Sequence, residues 1–138
     1  MINILIVSHG ALADGLKDSA AMFFGDGAEK ISTLGLYPGD TIEDLQSKIE
    51  TIIREKCTED GMMIFVDMLM GSPFNMACLA MRGLIEEGYK LQCFTGINLP
   101  VLMEVMAGAD YMTLDEMTET VERVCCDSFV NVRKTMEF

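Results

Sequence analysis

Four short apolar runs, each followed by a turn signal and a segment with helical spacing, set what this chain can fold into. Residues 2–7 are apolar apart from Asn3, and Met62–Val66 is apolar throughout. A run without polar alternation is buried on both faces, as in a parallel sheet. Ile31–Leu36 and residues 89–95 supply two further strands. Strands that alternate with helices imply a parallel sheet with helices on both sides. The expected fold is therefore α/β, a doubly wound, mostly parallel sheet flanked by helices, with flavodoxin-like topology.

The helices are read from spacing and punctuation. Leu12, Leu16, Ala20 and Phe23 or Phe24 form the first stripe, which stops near Gly25, Asp26 and Gly27. Asp40 or Thr41 caps a second helix carrying Leu45, Ile49, Ile52 and Ile53. Ser72 as N-cap and Pro73 as first helical residue start a third, which runs to about residue 87, before Gly88. Pro100 opens a fourth helix to about residue 107, and Thr113 caps a fifth from 114 to about 126. In the tail, Val130, Val132, Met136 and Phe138 alternate with Asn131, Arg133, Thr135 and Glu137, broken only by Lys134. That period of two predicts a final strand at an edge.

With 138 residues and no linker, repeat or low-complexity segment, a single domain over 1–138 is expected. Ten basic against 22 acidic residues leave a net charge of −12, which excludes a broad nucleic-acid-binding patch and disfavours anionic membranes. No apolar stretch approaches the ~20 residues of a membrane span, and the first residues lack the basic region and cleavage site of a signal peptide. The five cysteines, Cys57, Cys78, Cys93, Cys125 and Cys126, fit no disulfide framework and include no C-x-x-C pair. Free thiols and a cytoplasmic location are expected. The adjacent Cys125 and Cys126 are a second, redox-active reading.

Ligands of doubly wound proteins sit at the carboxyl ends of the strands. Ser8, His9 and Gly10 follow the first strand; Asp67 and then Gly71, Ser72, Pro73, Phe74 and Asn75 follow the third; Gly96, Ile97 and Asn98 follow the fourth. His9 is the only histidine, and it can serve as base, nucleophile or ligand. Asp67 ends the most apolar strand, where an acid is costly without a partner. It either caps a turn or accepts a hydrogen bond from one His9 ring nitrogen, leaving the other free to attack. The helix start at Ser72 is an anion site, and Gly71 allows close backbone approach. A phosphoryl group on His9 would be held there without a metal or cofactor. Most of the thirteen methionines read as core, while Met68 and Met70 are candidates for a pliable partner surface.

These residues carry a resemblance. The segment ILIVSHGALADGLKDSAAMFFG at 4–25, YPGD at 37–40, FVDMLMGSPFNMA at 65–77 and TGINLPVLMEVM at 95–106 together resemble the mannose-class (mannose, fructose, sorbose) enzyme IIA proteins of the bacterial phosphoenolpyruvate:sugar phosphotransferase system. The resemblance implies that His9 carries the phosphoryl group, that Asp67 orients its imidazole, and that Ser72, with Gly71 before it, lies by the phosphate. It implies a phosphorylated histidine carrier protein as donor and an enzyme IIB as acceptor. It also implies a homodimer that exchanges the C-terminal strand, with membrane contact only through permease subunits. Met70 stands where the family commonly has a glycine.

Three other readings compete. The phosphocarrier subunit of phosphoenolpyruvate-dependent dihydroxyacetone kinase shares the fold and the N-terminal histidine, but its second motif lacks the run at 71–75. A serine hydrolase would use Ser72, His9 and Asp67, yet G-x-S-x-G is absent and a proline follows Ser72. A flavin or nucleotide module would need a phosphate cradle; neither G-x-G-x-x-G nor a P-loop occurs.

Overall fold

A computed structural model describes residues 1–138. Four parallel strands, β1 (Asn3–His9), β2 (Ile31–Leu36), β3 (Met62–Val66) and β4 (Leu91–Phe94), are ordered β2-β1-β3-β4. Between and after them run α1 (Leu12–Phe24), α2 (Ile42–Lys56), α3 (Ser72–Glu86), α4 (Leu99–Gly108), α5 (Leu114–Val124) and a short α6 (Val132–Met136). A 3-10 segment, Gly25–Lys30, joins α1 to β2; nothing in the apolar pattern announces it.

The uninterrupted apolar strands serve two cores at once, because successive side chains leave a strand on opposite faces. Ile4, Ile6, Met63 and Phe65 pack with residues of α1, α4 and α5. Leu5, Val7, Met62, Ile64 and Val66 pack on the other face with residues of α2 and α3. A polar residue at any of these inward positions would lie in one core or the other.

Several boundaries differ from the sequence expectation. β1 extends two residues past Val7, because Ser8 and His9 still pair with Gly35 and Leu36. β4 starts later than residue 89, since the Tyr89 N–H turns back to Leu84 O at the end of α3. Thr41, not Asp40, caps α2, accepting from the Asp44 N–H. Thr113 caps α5 in a reciprocal box with Glu116. Ser72 is not the cap of α3: the Asn75 N–H bonds to Gly71 O at 2.9 Å, so Gly71 is the N-cap and Ser72 and Pro73 are the first helical residues.

The tail differs most. The expected final strand is instead α6, capped by the Asn131 side chain on the Lys134 N–H. A strand requires a neighbour for its N–H and C=O groups. Within one chain the tail bonds to itself, Thr135 N–H to Asn131 O and Phe138 N–H to Arg133 O. Every residue from 125 to 138 is exposed.

Candidate functional site

The two central strands, β1 and β3, lead to opposite sides of the sheet: β1 continues through α1 to β2, and β3 through α3 to β4. The connections leaving their carboxyl ends diverge there, which is the switch point at which doubly wound proteins bind ligands. Parallel pairing of Val7 with Val66 brings His9, two residues on, beside Asp67, one residue on. Apolar burial of both strands thus positions two polar groups that are 58 residues apart in sequence.

One carboxylate oxygen, Asp67 Oδ2, accepts from the His9 backbone N–H at 2.8 Å and lies 2.7 Å from His9 Nδ1. Oδ1 accepts from the Met68 N–H at 2.9 Å. Burial pushes the Asp67 carboxyl up, but these hydrogen bonds and the neighbouring imidazole outweigh it and hold the group below its ordinary value. An ionised carboxylate only accepts, so Nδ1 donates, and in the neutral ring Nε2 keeps the lone pair. The Asp67 side chain is 10% exposed and that of His9 is 48% exposed. The acid is fixed and inward; the imidazole faces out.

Gly71 lies against this ring. A Cβ built on it would be 2.9 Å from His9 Cε1 and 3.6 Å from Nε2. Its glycine identity is needed for this close approach rather than for conformation, since φ −87° and ψ 172° suit any residue. Met70, just before it, is held at φ 66°, an uncommon conformation for a side chain of this kind. Immediately after Gly71, the first turn of α3 leaves the Ser72 and Phe74 N–H groups without intrahelical acceptors. The Ser72 hydroxyl, free of any capping duty, is half-buried and makes no hydrogen bond to His9. A hydrolase triad would place a nucleophile on the second ring nitrogen; that contact is absent.

Sequence reasoning placed Ser8 and Gly10 on this edge without giving them a task, and passed over Gly35. Ser8 is the one buried polar side chain. Its hydroxyl accepts from the Ala13 N–H at 2.9 Å and approaches Gly10 O at 3.4 Å, tying the turn to α1. The Gly10 N–H bonds to Leu36 O at 2.8 Å. Gly35 on β2 permits this, because a Cβ there would collide with the Gly10 carbonyl oxygen. A serine ending an apolar run was the available signal for Ser8. Nothing local marks Gly35.

Leu12, at the start of α1, and Met68, Leu69 and Met70, in the loop between β3 and α3, are exposed. Of the thirteen methionines only Met62, Met63, Met76, Met106 and Met117 are buried, fewer than the core reading expects, while Met1, Met22 and Met136 are exposed along with Met68 and Met70. Gly96, Ile97 and Asn98 do not join the His9–Asp67 pair through side-chain hydrogen bonds; Asn98 caps α4 on the Val101 N–H. The five cysteines are free thiols. No helix is long and apolar enough to cross a membrane.

The fold and site define a doubly wound α/β protein that presents a carboxylate-held histidine at the carboxyl ends of its central strands. The profile of the EIIA-man family, described as the PTS system fructose IIA component, matches residues 3–122. The chain belongs to that family, and is a phosphotransferase-system phosphocarrier of sugar uptake. It is 28% identical over 129 residues to the PTS system fructose-specific EIIA component of Bacillus subtilis, covering 94% of this chain and 85% of that one. It is 32% identical over 117 residues to the PTS system mannose-specific EIIAB component of Escherichia coli, covering 84% of this chain but 35% of that longer protein. The crystal structure of EIIA from Streptococcus agalactiae superposes with a TM-score of 0.80 at 23% identity, covering 95% of this chain and 97% of that one, which shows the shared fold.

Proposed function

We propose that Nε2 of His9 accepts a phosphoryl group from the phosphorylated histidine carrier protein and passes it to an enzyme IIB. The observation that carries this reading is the hydrogen bond of Nδ1 to Asp67 on a ring that is half exposed. The Nε2 lone pair attacks phosphorus in line; the bond from phosphorus to the donor nitrogen breaks, and its electron pair stays with the donor ring. Asp67 holds the Nδ1 proton and stabilises the positive charge that develops on the imidazole. The Ser72 and Phe74 N–H groups, at the positive end of α3, are placed to receive the phosphoryl oxygens. Transfer to the enzyme IIB reverses these steps on a new acceptor.

A protein donor is favoured over a small molecule because His9 is framed by exposed Leu12, Met68, Leu69 and Met70. Apolar side chains clustered beside a reactive group suit a docking partner. Residues 1–138 act as a single EIIA domain in the cytoplasm, meeting the membrane only through permease subunits. The working form is a homodimer in which the tail, 129–138, leaves its own chain and pairs as a strand with a partner. Two features support this. The β4 edge is unpaired, and the tail exposes Phe129, Val130, Val132, Met136 and Phe138.

The test is phosphoryl transfer from a phosphoenolpyruvate-fed carrier mixture, with intact mass read for the native chain and His9→Ala. One phosphoryl group, acid-labile, alkali-stable and missing from the variant, is expected. A folded native chain that gains no group from a competent mixture would refute the relay.

A further inference from the structure

Cys125 and Cys126 take no part in the phosphoryl chemistry. They stand where α5 gives way to a turn, and the Cys125 N–H still bonds to Val121 O at 3.0 Å. Both side chains are exposed, and their sulfurs are 3.7 Å apart. Successive residues of a helix point about 100° apart, so adjacent thiols on a continuing helix would diverge. Here, where the helix passes into the turn at 125–128, the two side chains nevertheless converge.

The pair is poorly placed to close on itself. Consecutive Cα atoms are ~3.8 Å apart, short of the ~4.4–6.8 Å usual across a disulfide. It is not a structural zinc centre either: such centres take four protein ligands, and no group of three or more His, Cys, Asp or Glu side chains is assembled anywhere in the chain. Two sulfurs without a third ligand suit an atom that asks for two. A soft atom ~2.3 Å from each sulfur, the length of a zinc–thiolate bond, would span their 3.7 Å separation at roughly 107°. That is close to the natural angle of a tetrahedral or pyramidal centre. Inserting one atom also relieves the short Cα spacing that a direct disulfide would strain.

We propose that Cys125 and Cys126 form a dithiol capture site for trivalent arsenicals, the class with one carbon substituent and two exchangeable bonds to oxygen. With an arsine oxide, the arsenic–oxygen bonds break and two arsenic–sulfur bonds form. Both thiol protons leave with the oxygen as one water. Arsenic stays trivalent, and nothing is oxidised or reduced. The hydrogen bond with Cys126 raises the Cys125 thiol above its ordinary value. That disfavours a divalent cation, which must displace both protons, but not a reaction without net proton release. Elsewhere, burial pushes the Cys93 thiol up to about 12, and Cys57 is half-buried.

The reduced full chain is mixed with one equivalent of phenylarsine oxide, challenged with excess monothiol, and read by intact mass and peptide mapping. The expected product has gained one phenylarsenic unit and lost two hydrogens, on the peptide 124–133. It survives monothiol and is stripped by a small dithiol. Cys125→Ser and Cys126→Ser are each expected to lose the resistant adduct while keeping the native circular dichroism; Cys78→Ser keeps the adduct. A native chain that retains no adduct under monothiol overturns the proposal. So does an adduct that survives either serine substitution at 125 or 126.

Discussion

Asp67 and His9 act as one unit, and each can be probed alone. Asp67→Asn keeps the shape but removes the charge that holds Nδ1–H. Hydrogen bonds to charged groups contribute ~1.5–3 kcal/mol, so phosphorylation of His9 should slow by roughly 10- to 150-fold. Rapid-quench transfer from the phosphorylated carrier measures this. The same residue has a pH signature. Its folded pKa is depressed, so its stabilising contribution is full above the unfolded value of ~3.9 and is lost as pH falls through the lower folded value. In urea unfolding, the native chain should exceed Asp67→Asn in stability at pH 6, and the gap should close below about pH 4. Gly71→Ala separates space from conformation. The backbone there accepts alanine, but the new methyl group meets the imidazole at 2.9 Å. The variant should melt close to the native chain and phosphorylate at least about tenfold more slowly, since small misplacements of reacting groups are costly. Equal rates would show that Gly71 does not constrain the ring.

At the scale of elements, the site depends on how the β1–α1 turn is pinned to β2. Gly35→Ala puts a methyl group onto the Gly10 carbonyl oxygen. Overpacking of this kind costs ~1–3 kcal/mol, and the strain falls on the turn that carries His9. A lowered urea midpoint together with slowed phosphorylation is expected; a silent substitution would mean the turn is held by Ser8 alone. The strands and helices themselves were legible. Met62–Val66 and Ile31–Leu36 were placed to the residue, because long apolar runs and Pro–Gly punctuation are local signals. The start of α3 was misplaced by one residue, because Ser-Pro reads as a cap while the register of the first helical bond made Gly71 the cap. The consequence is chemical: the Ser72 hydroxyl is left without a structural task beside His9.

At the scale of the whole molecule, the feature to probe is the tail. Its exposed apolar residues and the unpaired β4 edge are liabilities that a second copy would cover. A chain ending at Ser128 should keep the native fold, because residues 129–138 are exposed in one subunit, and should melt below the full chain because the dimer's contribution is lost. It should sediment as a monomer where the full chain sediments as a dimer. A full chain that sediments as a monomer would remove the exchanged strand from the mechanism. The net charge of −12 also makes encounter with a basic partner face faster at low salt.

The amino-acid sequence by itself determined the class of fold, the edge on which chemistry would sit, and the presence of both His9 and Asp67 on that edge. Each follows from patterns only a few residues wide, and parallel strand order converts those patterns into proximity. The tertiary structure alone decided that Gly71 packs on the imidazole, that Gly35 makes room for Gly10, and that the sulfurs of Cys125 and Cys126 converge. It also decided that the alternating tail coils into α6. The two glycine contacts depend on which atoms of distant segments meet, the thiol pair on local side-chain geometry, and α6 on backbone hydrogen bonds that go to whichever partner is within reach.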